Sequence, residues 1–346
     1  MRPPTKLPRR ILVIRMGAIG DVVNALVLAS ALKNHDPQVE IAWAVHNLSQ
    51  PFVQDHPAID RCHLWRKNTG WSGFRTFLSE LRRERYDLAI DLQRLAKSSA
   101  VARLSGARRV LGYDRQRAKE QSWLLTKERI PTADVRRHMV RHYLEFAQYL
   151  GVPDPQPIFR FPAFPEAARW AQEFVAPFPD RPLLVNMGAS KSARRWSPRR
   201  FGQLASQLHE RTGRTVLLVG GPDELATADE ARAEIRSAPG VVDMIGTATL
   251  PQLLELLRHV AVFIGGDTGP MHMAVAVGRH VVGIFGPSDA SRTGPFGDTH
   301  TIIQGTRVFP SGEAYERSGW QTAEMDDVTV ELVAEVAARD VETRGL

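Results

Sequence analysis

One carboxylate and two glycines stand together near the start of the chain, directly after a short apolar run. The run Ile11–Ile14 is typical of a buried parallel strand, and Gly17, Gly20 and Asp21 follow it where a helix is expected to begin. The glycines permit a tight turn and a close approach of the backbone to a ligand. Asp21 has two interpretations: a helix cap, or a general base that takes a proton from a substrate hydroxyl. The spacing alone leaves both open.

A second motif, Gly265-Gly-Asp-Thr-Gly-Pro-Met-His272, also joins an apolar strand to a predicted helix. Free backbone N–H groups around Thr268 and Gly269 would form an anion site suited to a pyrophosphate. His272 could donate to the same phosphate from one turn into the helix, and Asp267 could accept from a sugar hydroxyl. The alternative is a plain capped helix with a packing histidine.

A third motif, Ser190-Lys-Ser-Ala-Arg-Arg-Trp196, places three cations within five residues after another predicted strand. A solvated run of charge is the ordinary interpretation of such a segment. Its position at the carboxyl end of a strand favours a phosphate clamp instead, because guanidinium groups match phosphate oxygens. Ser190, Lys191 and Arg194 are therefore candidate ligands of an anion, whereas Trp196 is expected to pack.

Further cations of the amino-terminal half stand near predicted loop edges. They are surface charge or a cradle for an anionic acceptor, and the residues concerned are Lys97, Lys119, Arg136, His138 and Arg141.

The elements that position these motifs alternate as short apolar runs and longer amphipathic segments. The alternation stops at a stretch with prolines between 153 and 165 and then restarts, which predicts two doubly wound α/β domains. We expect domains at 1–155 and 156–325. We expect 286–325 to be irregular, and a final helix in 326–346 to pack back on the first domain. Ligands of such sheets bind outside the carboxyl ends of the strands, where all three motifs lie.

Composition excludes several classes of protein. The 346 residues include one cysteine, so an intramolecular disulfide and a cysteine-rich metal site are excluded. The net charge of +7 favours anionic partners.

The chain has no zinc-binding H-E-x-x-H, no G-x-G-x-x-G, no Walker lysine and no recognised nucleic-acid motif. We expect no metal, no cofactor, no nucleic acid and no membrane-spanning helix, and a cytoplasmic location.

Six segments in order resemble the bacterial ADP-heptose:lipopolysaccharide heptosyltransferase family. The match runs from about residue 11 to 295, and the segments are 11–22, 91–98, 191–196, 266–272, 285–289 and 292–295.

The resemblance implies a GT-B fold, in which two Rossmann-like domains face each other across a cleft. The first domain would hold the acceptor and the second the nucleotide-sugar. The family inverts the sugar's configuration and needs no bound metal for its chemistry. Asp21 matches the proposed general base of the family, and Lys97 matches a lysine on the sugar and acceptor side.

The donor site is also implied by this resemblance. Ser190 and Arg194 match contacts to the diphosphate, although a lysine is common where Arg194 stands. Thr268, Gly269 and His272 match the pyrophosphate turn, and Asp267 matches a contact to the transferred sugar. The acid that holds the adenosine ribose is Asp223 or Glu224. Arg94 stands where many members have glycine, which leaves the acceptor open.

The expected function is transfer of a heptose from ADP-heptose to an anionic glycolipid, the inner core of lipopolysaccharide. The enzyme would be peripherally associated with the inner membrane. The alternatives are a glycosyltransferase of the same fold with another nucleotide-sugar or acceptor, and a non-catalytic glycolipid-binding module. A nicotinamide-dependent oxidoreductase is disfavoured by the missing G-x-G-x-x-G.

Overall fold

The structure, a computed structural model, describes residues 7–66, 69–188, 195–312 and 323–346. The chain divides into two compact units, Met1–Ala163 and Phe164–Leu346. The division falls inside the proline-rich stretch, a few residues beyond the position expected from the sequence. Pro165 does not belong to a linker but begins a helix, where its missing N–H costs no hydrogen bond.

The first unit is built on a six-stranded parallel sheet with the strand order β3-β2-β1-β4-β5-β6. Its strands are β1 Arg10–Ile14, β2 Glu40–His46, β3 Arg61–Trp65, β4 Leu88–Asp91, β5 Arg109–Gly112 and β6 Glu128–Arg129. Its helices are α1 Ile19–His35, α2 Gly70–Arg83, α3 Ala96–Leu104 and α4 Met139–Tyr149.

The position of β1 in the sheet explains its apolar sequence. Ile11 pairs with Ile41 of β2 on one side and with Leu88 of β4 on the other. The side chains of Ile11–Ile14 are fully buried, as expected of a strand covered on both faces. The sheet therefore holds the turn that follows β1 in the middle of its carboxyl edge.

The second unit has a seven-stranded sheet in the order β13-β12-β11-β10-β7-β8-β9, parallel except for β13. Its strands are β7 Leu183–Asn186, β8 Val216–Gly220, β9 Val241–Ile245, β10 Val262–Gly266, β11 His280–Phe285, β12 Thr301–Gln304 and β13 Arg307–Pro310. Its helices are α5 Pro165–Val175, α6 Pro198–Thr212, α7 Ala228–Ile235, α8 Leu250–Leu257, α9 Gly269–Ala276, α10 Ala290–Thr293 and α11 Val330–Arg344.

The last helix belongs to the second unit and packs on its core, while packing on the first domain stays a prediction. α11 packs against α6, and Val333 and Ala337 are fully buried in the second core. The indole Nε1 of Trp196 donates to the carbonyl of Val328 at 3.0 Å, which ties the start of α6 to the approach to α11. The apolar face of the helix is therefore buried inside its own unit.

The strands that the pattern did not predict are short or lie at a sheet edge. β3 carries arginine, cysteine and histidine instead of an apolar run, and β12 and β13 lie within the segment expected to be irregular. β3 and β13 are edge strands, which are covered by fewer neighbours and show weaker apolar patterning, whereas β12 lies inside the sheet but has only four residues. In the described part of the chain, no helix is long and apolar enough to cross a bilayer.

Candidate active site

Asp21 lies in the first turn of α1 and forms an ion pair with Arg15, the residue after β1. The Asp21 side chain is 38% exposed, whereas the Arg15 side chain is 7% exposed. The N-cap of α1 is Ala18, so Asp21 is not the cap that one interpretation of the sequence predicted. A carboxylate in this position is held by a buried cation and remains open to solvent.

The segment that carries this ion pair is fixed to the two neighbouring strands. The carbonyl of Arg15 accepts from Trp43 Nε1 of β2 at 3.1 Å. On the other side, the backbone N–H of Met16 donates to Gln93 Oε1 at 3.0 Å, just beyond β4. A side chain at Gly17 would meet nothing closer than His46 Cδ2 at 4.0 Å, so the space above the turn is open within this unit.

The loop after β4 is organised by the buried carboxyl of Asp91. Asp91 accepts hydrogen bonds from the Ser99 hydroxyl and from the backbone N–H of Gln93, the latter at 3.0 Å. Burial raises the pKa of Asp91, although the hydrogen bonds oppose that change. The carboxyl thereby sets the position of Gln93. The exposed Lys97 follows, with Nζ 4.5 Å from the centre of the Trp65 ring.

Of the other acceptor-side cations, Lys119 lies beside this loop, since its backbone N–H donates to the Arg94 carbonyl at 3.0 Å. Arg136 and Arg141 are exposed near the start of α4. His138 is buried there, and its Nδ1 accepts from the Val140 N–H at 3.2 Å as the cap of α4. This cap explains why α4 starts at 139.

In the second unit, the turn from β10 into α9 has the features of an anion site. Thr268 is the N-cap residue of α9, but its side chain does not cap the helix. Its hydroxyl donates to the Gly266 carbonyl at 3.3 Å and accepts from Asn186 Nδ2 of the neighbouring β7 at 3.4 Å. The N–H groups that begin α9, including that of Gly269, consequently have no side-chain cap and suit an anionic ligand.

Asp267 and His272 flank this turn and are both buried. His272 Nε2 lies 3.9 Å from Asp267 Oδ1, and the Thr293 hydroxyl donates to Asp267 Oδ2 at 3.1 Å. The two predicted residues are therefore brought together, and Thr293, which the sequence did not single out, orients the carboxylate.

The two acids that the sequence left open for a ribose differ in burial. Asp223 is exposed, whereas Glu224 is buried and accepts from the Gly221 N–H at 2.8 Å. A Cβ on Gly188 would lie 3.6 Å from Glu224 Oε2. Glu224 thus lies beside the carboxyl end of β7, the strand that separates β8 from β10.

The remaining donor residues of the sequence analysis, Ser190, Lys191 and Arg194, lie outside the described residues. Trp196, just after them, is buried and packs edge-on against Phe201, with ring centres 5.0 Å apart. Over the described ranges, no three histidine, cysteine, aspartate or glutamate side chains converge as a metal site requires.

Sequence reasoning missed Arg15 and Gln93, which fix the turn that carries Asp21. One signal was available for Arg15, because it is a charged residue that directly follows a fully apolar buried run. Gln93 carried no comparable signal, since its role depends on the pairing of β1 with β4.

Comparison with known proteins identifies the family. The model of glycosyltransferase family 9 (heptosyltransferase) matches residues 74–313. The lipopolysaccharide core heptosyltransferase OpsX of Haemophilus influenzae is 25% identical over 301 residues, covering 86% of this chain and 85% of that protein.

Solved structures show the same fold. A glycosyl transferase of family 9 from Veillonella parvula has a TM-score of 0.79 at 20% identity and covers 97% of each chain. The ADP-heptose lps heptosyltransferase II of E. coli has a TM-score of 0.76 at 22% identity, covering 97% of this chain and 100% of that one. The predicted GT-B class is confirmed, and this chain belongs to glycosyltransferase family 9, the heptosyltransferases.

Proposed function

We propose that this enzyme transfers a heptose from ADP-heptose to a sugar hydroxyl of the lipopolysaccharide inner core, with inversion and with Asp21 as the general base. Family membership and the names of the relatives from Haemophilus influenzae and E. coli support the donor and the acceptor. The acceptor is a glycolipid, so the enzyme would work peripherally at the surface of the inner membrane.

The first unit would hold the acceptor at the carboxyl edge of its sheet. The acceptor oxygen attacks the anomeric carbon and forms the new glycosidic bond, while the bond from that carbon to the diphosphate breaks and ADP leaves. Asp21 takes the hydroxyl proton. Arg15 suits this step because it holds the carboxylate in one position without removing it from solvent.

The second unit would bind the donor, in agreement with its uncapped helix start. The N–H groups at the start of α9 would meet the diphosphate, whose negative charge increases as ADP departs. His272 lies in the same turn and could donate to a phosphate oxygen. Asp267 would accept from a hydroxyl of the sugar, and Glu224 would accept from the ribose. We also propose Ser190, Lys191 and Arg194 as diphosphate ligands.

The observation that carries the mechanism is the half-exposed Asp21 carboxylate at the start of α1, paired with the buried Arg15. Asp21→Asn should lower kcat by about 10²–10⁴-fold, because general-base catalysis contributes that much. Transfer is measured with ADP-heptose and a lipid A–keto-sugar acceptor, and donor affinity should be unchanged. A matched control is Asp36→Asn at the other end of α1, which should retain activity.

Asp21→Asn leaves Arg15 buried without its partner, so loss of folding must be separated from loss of the base. Asp21→Glu keeps the charge and should retain more activity than Asp21→Asn at equal thermal stability. Turnover of Asp21→Asn at the wild-type rate would eliminate Asp21 as the base.

The donor is tested by a thermal-shift panel of nucleotide-sugars. A ligand at 100 times its Kd stabilises the folded protein by about 2.7 kcal/mol. ADP-heptose should raise Tm more than UDP- and GDP-sugars at equal concentration. A larger shift with another nucleotide-sugar would favour the alternative of a same-fold transferase with a different donor.

A further inference from the structure

A basic surface lies on α2, away from the residues assigned to catalysis. Four exposed arginines share a shallow depression of about 560 Å³ with Leu78 and Ser79; they are Arg75, Arg82, Arg83 and Arg85.

The charge of this surface is not neutralised from within the protein. Over the described residues, none of the four arginines forms an ion pair, and Arg82 Nε instead donates to the Leu104 carbonyl at 2.8 Å. Glu84, the acid nearest to them in sequence, is already paired with Arg10 at 2.7 Å and with Arg61 at 3.1 Å. The surface is therefore a net positive patch that suits an anionic partner.

A large apolar side chain extends the same helix face. Trp71 is 71% exposed, and its spacing of 4 and 11 residues from Arg75 and Arg82 puts all three on one side of the helix. Glu80 falls on the opposite side by the same geometry. The apolar face of α2, with Phe77, Leu78 and Leu81, is packed into the core of the first unit, so Trp71 is the apolar side chain of α2 that could enter a bilayer interface beside the arginines.

The first turn of α2, which carries Trp71, borders the candidate acceptor edge, and Arg82, Arg83 and Arg85 lie at the other end of the helix. The ring of Trp71 lies 5.4 Å from Phe74, which lies 5.5 Å from Trp65. Lys97 Nζ in turn lies 4.5 Å from the centre of the Trp65 ring, on the loop that follows β4. The aromatic side chains thus connect the exposed end of α2 to the loop proposed to hold the acceptor.

We propose that Trp71 and the four arginines form a docking surface for an anionic lipid bilayer. Trp71 enters the interface between headgroups and acyl chains, and the guanidinium groups bind headgroup phosphates. The proposal rests on the proposed function, because a glycolipid acceptor gives the docking its purpose. With α2 lying along the membrane, its first turn would place the neighbouring acceptor edge of the first unit beside the membrane that carries the acceptor.

Flotation with vesicles tests the surface directly, without any substrate. Vesicles of phosphatidylglycerol and phosphatidylethanolamine should bind the full-length wild type, and vesicles of phosphatidylcholine should not. Arg75→Gln with Arg83→Gln should weaken binding by about 25-fold, at about five-fold for each arginine. Trp71→Ser should weaken it independently. The control, Arg211→Gln with Arg236→Gln on the second unit, makes the same change of charge and should bind as the wild type.

Activity separates this proposal from the function on which it rests. The Arg75→Gln, Arg83→Gln variant should glycosylate a delipidated acceptor at the wild-type rate and a vesicle-borne acceptor more slowly. Equal vesicle binding by this variant and the wild type overturns the docking surface, even if transfer is found. Absence of transfer to either acceptor, with vesicle binding intact, refutes the function but not the surface. Binding of a DNA duplex in place of vesicles would overturn the lipid as partner.

Discussion

Arg15 and Asp21 form an ion pair across the turn from β1 to α1, with the guanidinium buried and the carboxylate 38% exposed. Arg15 Nη1 also reaches the Leu92 carbonyl at 3.4 Å, so the cation is bound to the segment after β4 as well. The position of Asp21, the proposed base, thus depends on both β1 and β4. Arg15 is buried and holds the Asp21 carboxylate, so we assign it as a positioning residue and not as a group that reacts.

Arg15→Gln should lower kcat by about 10²-fold, the cost of displacing a reacting group by about 1 Å. The KM for the donor should not change, since Arg15 belongs to the first unit. Arg15→Lys keeps the charge but has one nitrogen in place of the two that reach Asp21 and the Leu92 carbonyl, so it should recover part of kcat. Steady-state kinetics of both variants measure this, and a rise in KM with unchanged kcat would contradict the positioning role.

His272→Ala should lower kcat by about 10²–10³-fold, the range found when one donor to a developing negative charge is removed. The effect is expected because His272 lies in the first turns of α9, beside the proposed diphosphate site. Inhibition by ADP should weaken in parallel. His259→Ala, at a histidine near the end of α8 in the same unit, serves as the control. Equal losses in both variants would point to folding instead of donor binding.

Glu224→Gln should weaken ADP binding by about 10–100-fold, whereas Asp223→Asn should leave it unchanged. The difference follows from the burial of Glu224 beside Gly188, and a hydrogen bond to a charged group contributes about 1.5–3 kcal/mol. Isothermal titration of ADP into both variants distinguishes the two acids. The reverse order would assign the ribose contact to Asp223.

His56 should make the stability of the first unit depend on pH. Its Nδ1 accepts from the Ala58 N–H at 3.0 Å, and its Nε2 lies 2.9 Å from the Arg160 carbonyl and donates to it. Both nitrogens are therefore engaged by the neutral ring. Burial lowers the pKa of His56 to about 4.

Because the folded pKa lies below the unfolded value of about 6.5, the unfolded chain binds the proton first. The stabilisation is complete above pH 6.5 and is lost as the pH falls towards 4. Between pH 7 and pH 5, the free energy of unfolding should fall by about 2 kcal/mol less in His56→Gln than in the wild type. Urea unfolding at both values measures it, and equal losses would show that His56 does not titrate in this way.

The sequence by itself determined the fold class, because fully buried strands and amphipathic helices leave different apolar periods. The apolar run Ile11–Ile14 and the apolar run that precedes Gly265 were recognisable in this way. It also marked Asp21 and the turn from Asp267 to His272, since strand-to-helix turns with glycine occur where such sheets bind ligands.

Only the tertiary structure decided which neighbours these residues have. The contact of Gln93 with Met16 depends on the pairing of β1 with β4, whereas the ion pair of Arg15 with Asp21 and the burial of Glu224 depend on how the turns after β1 and β8 fold. The last helix likewise packs on α6. The sequence did not indicate this partner, because an apolar helix face shows that the helix must be buried but not which element covers it. Periodicity is a local property of the chain, whereas side-chain partners are set by strand order and register, which bring together residues that are far apart in sequence.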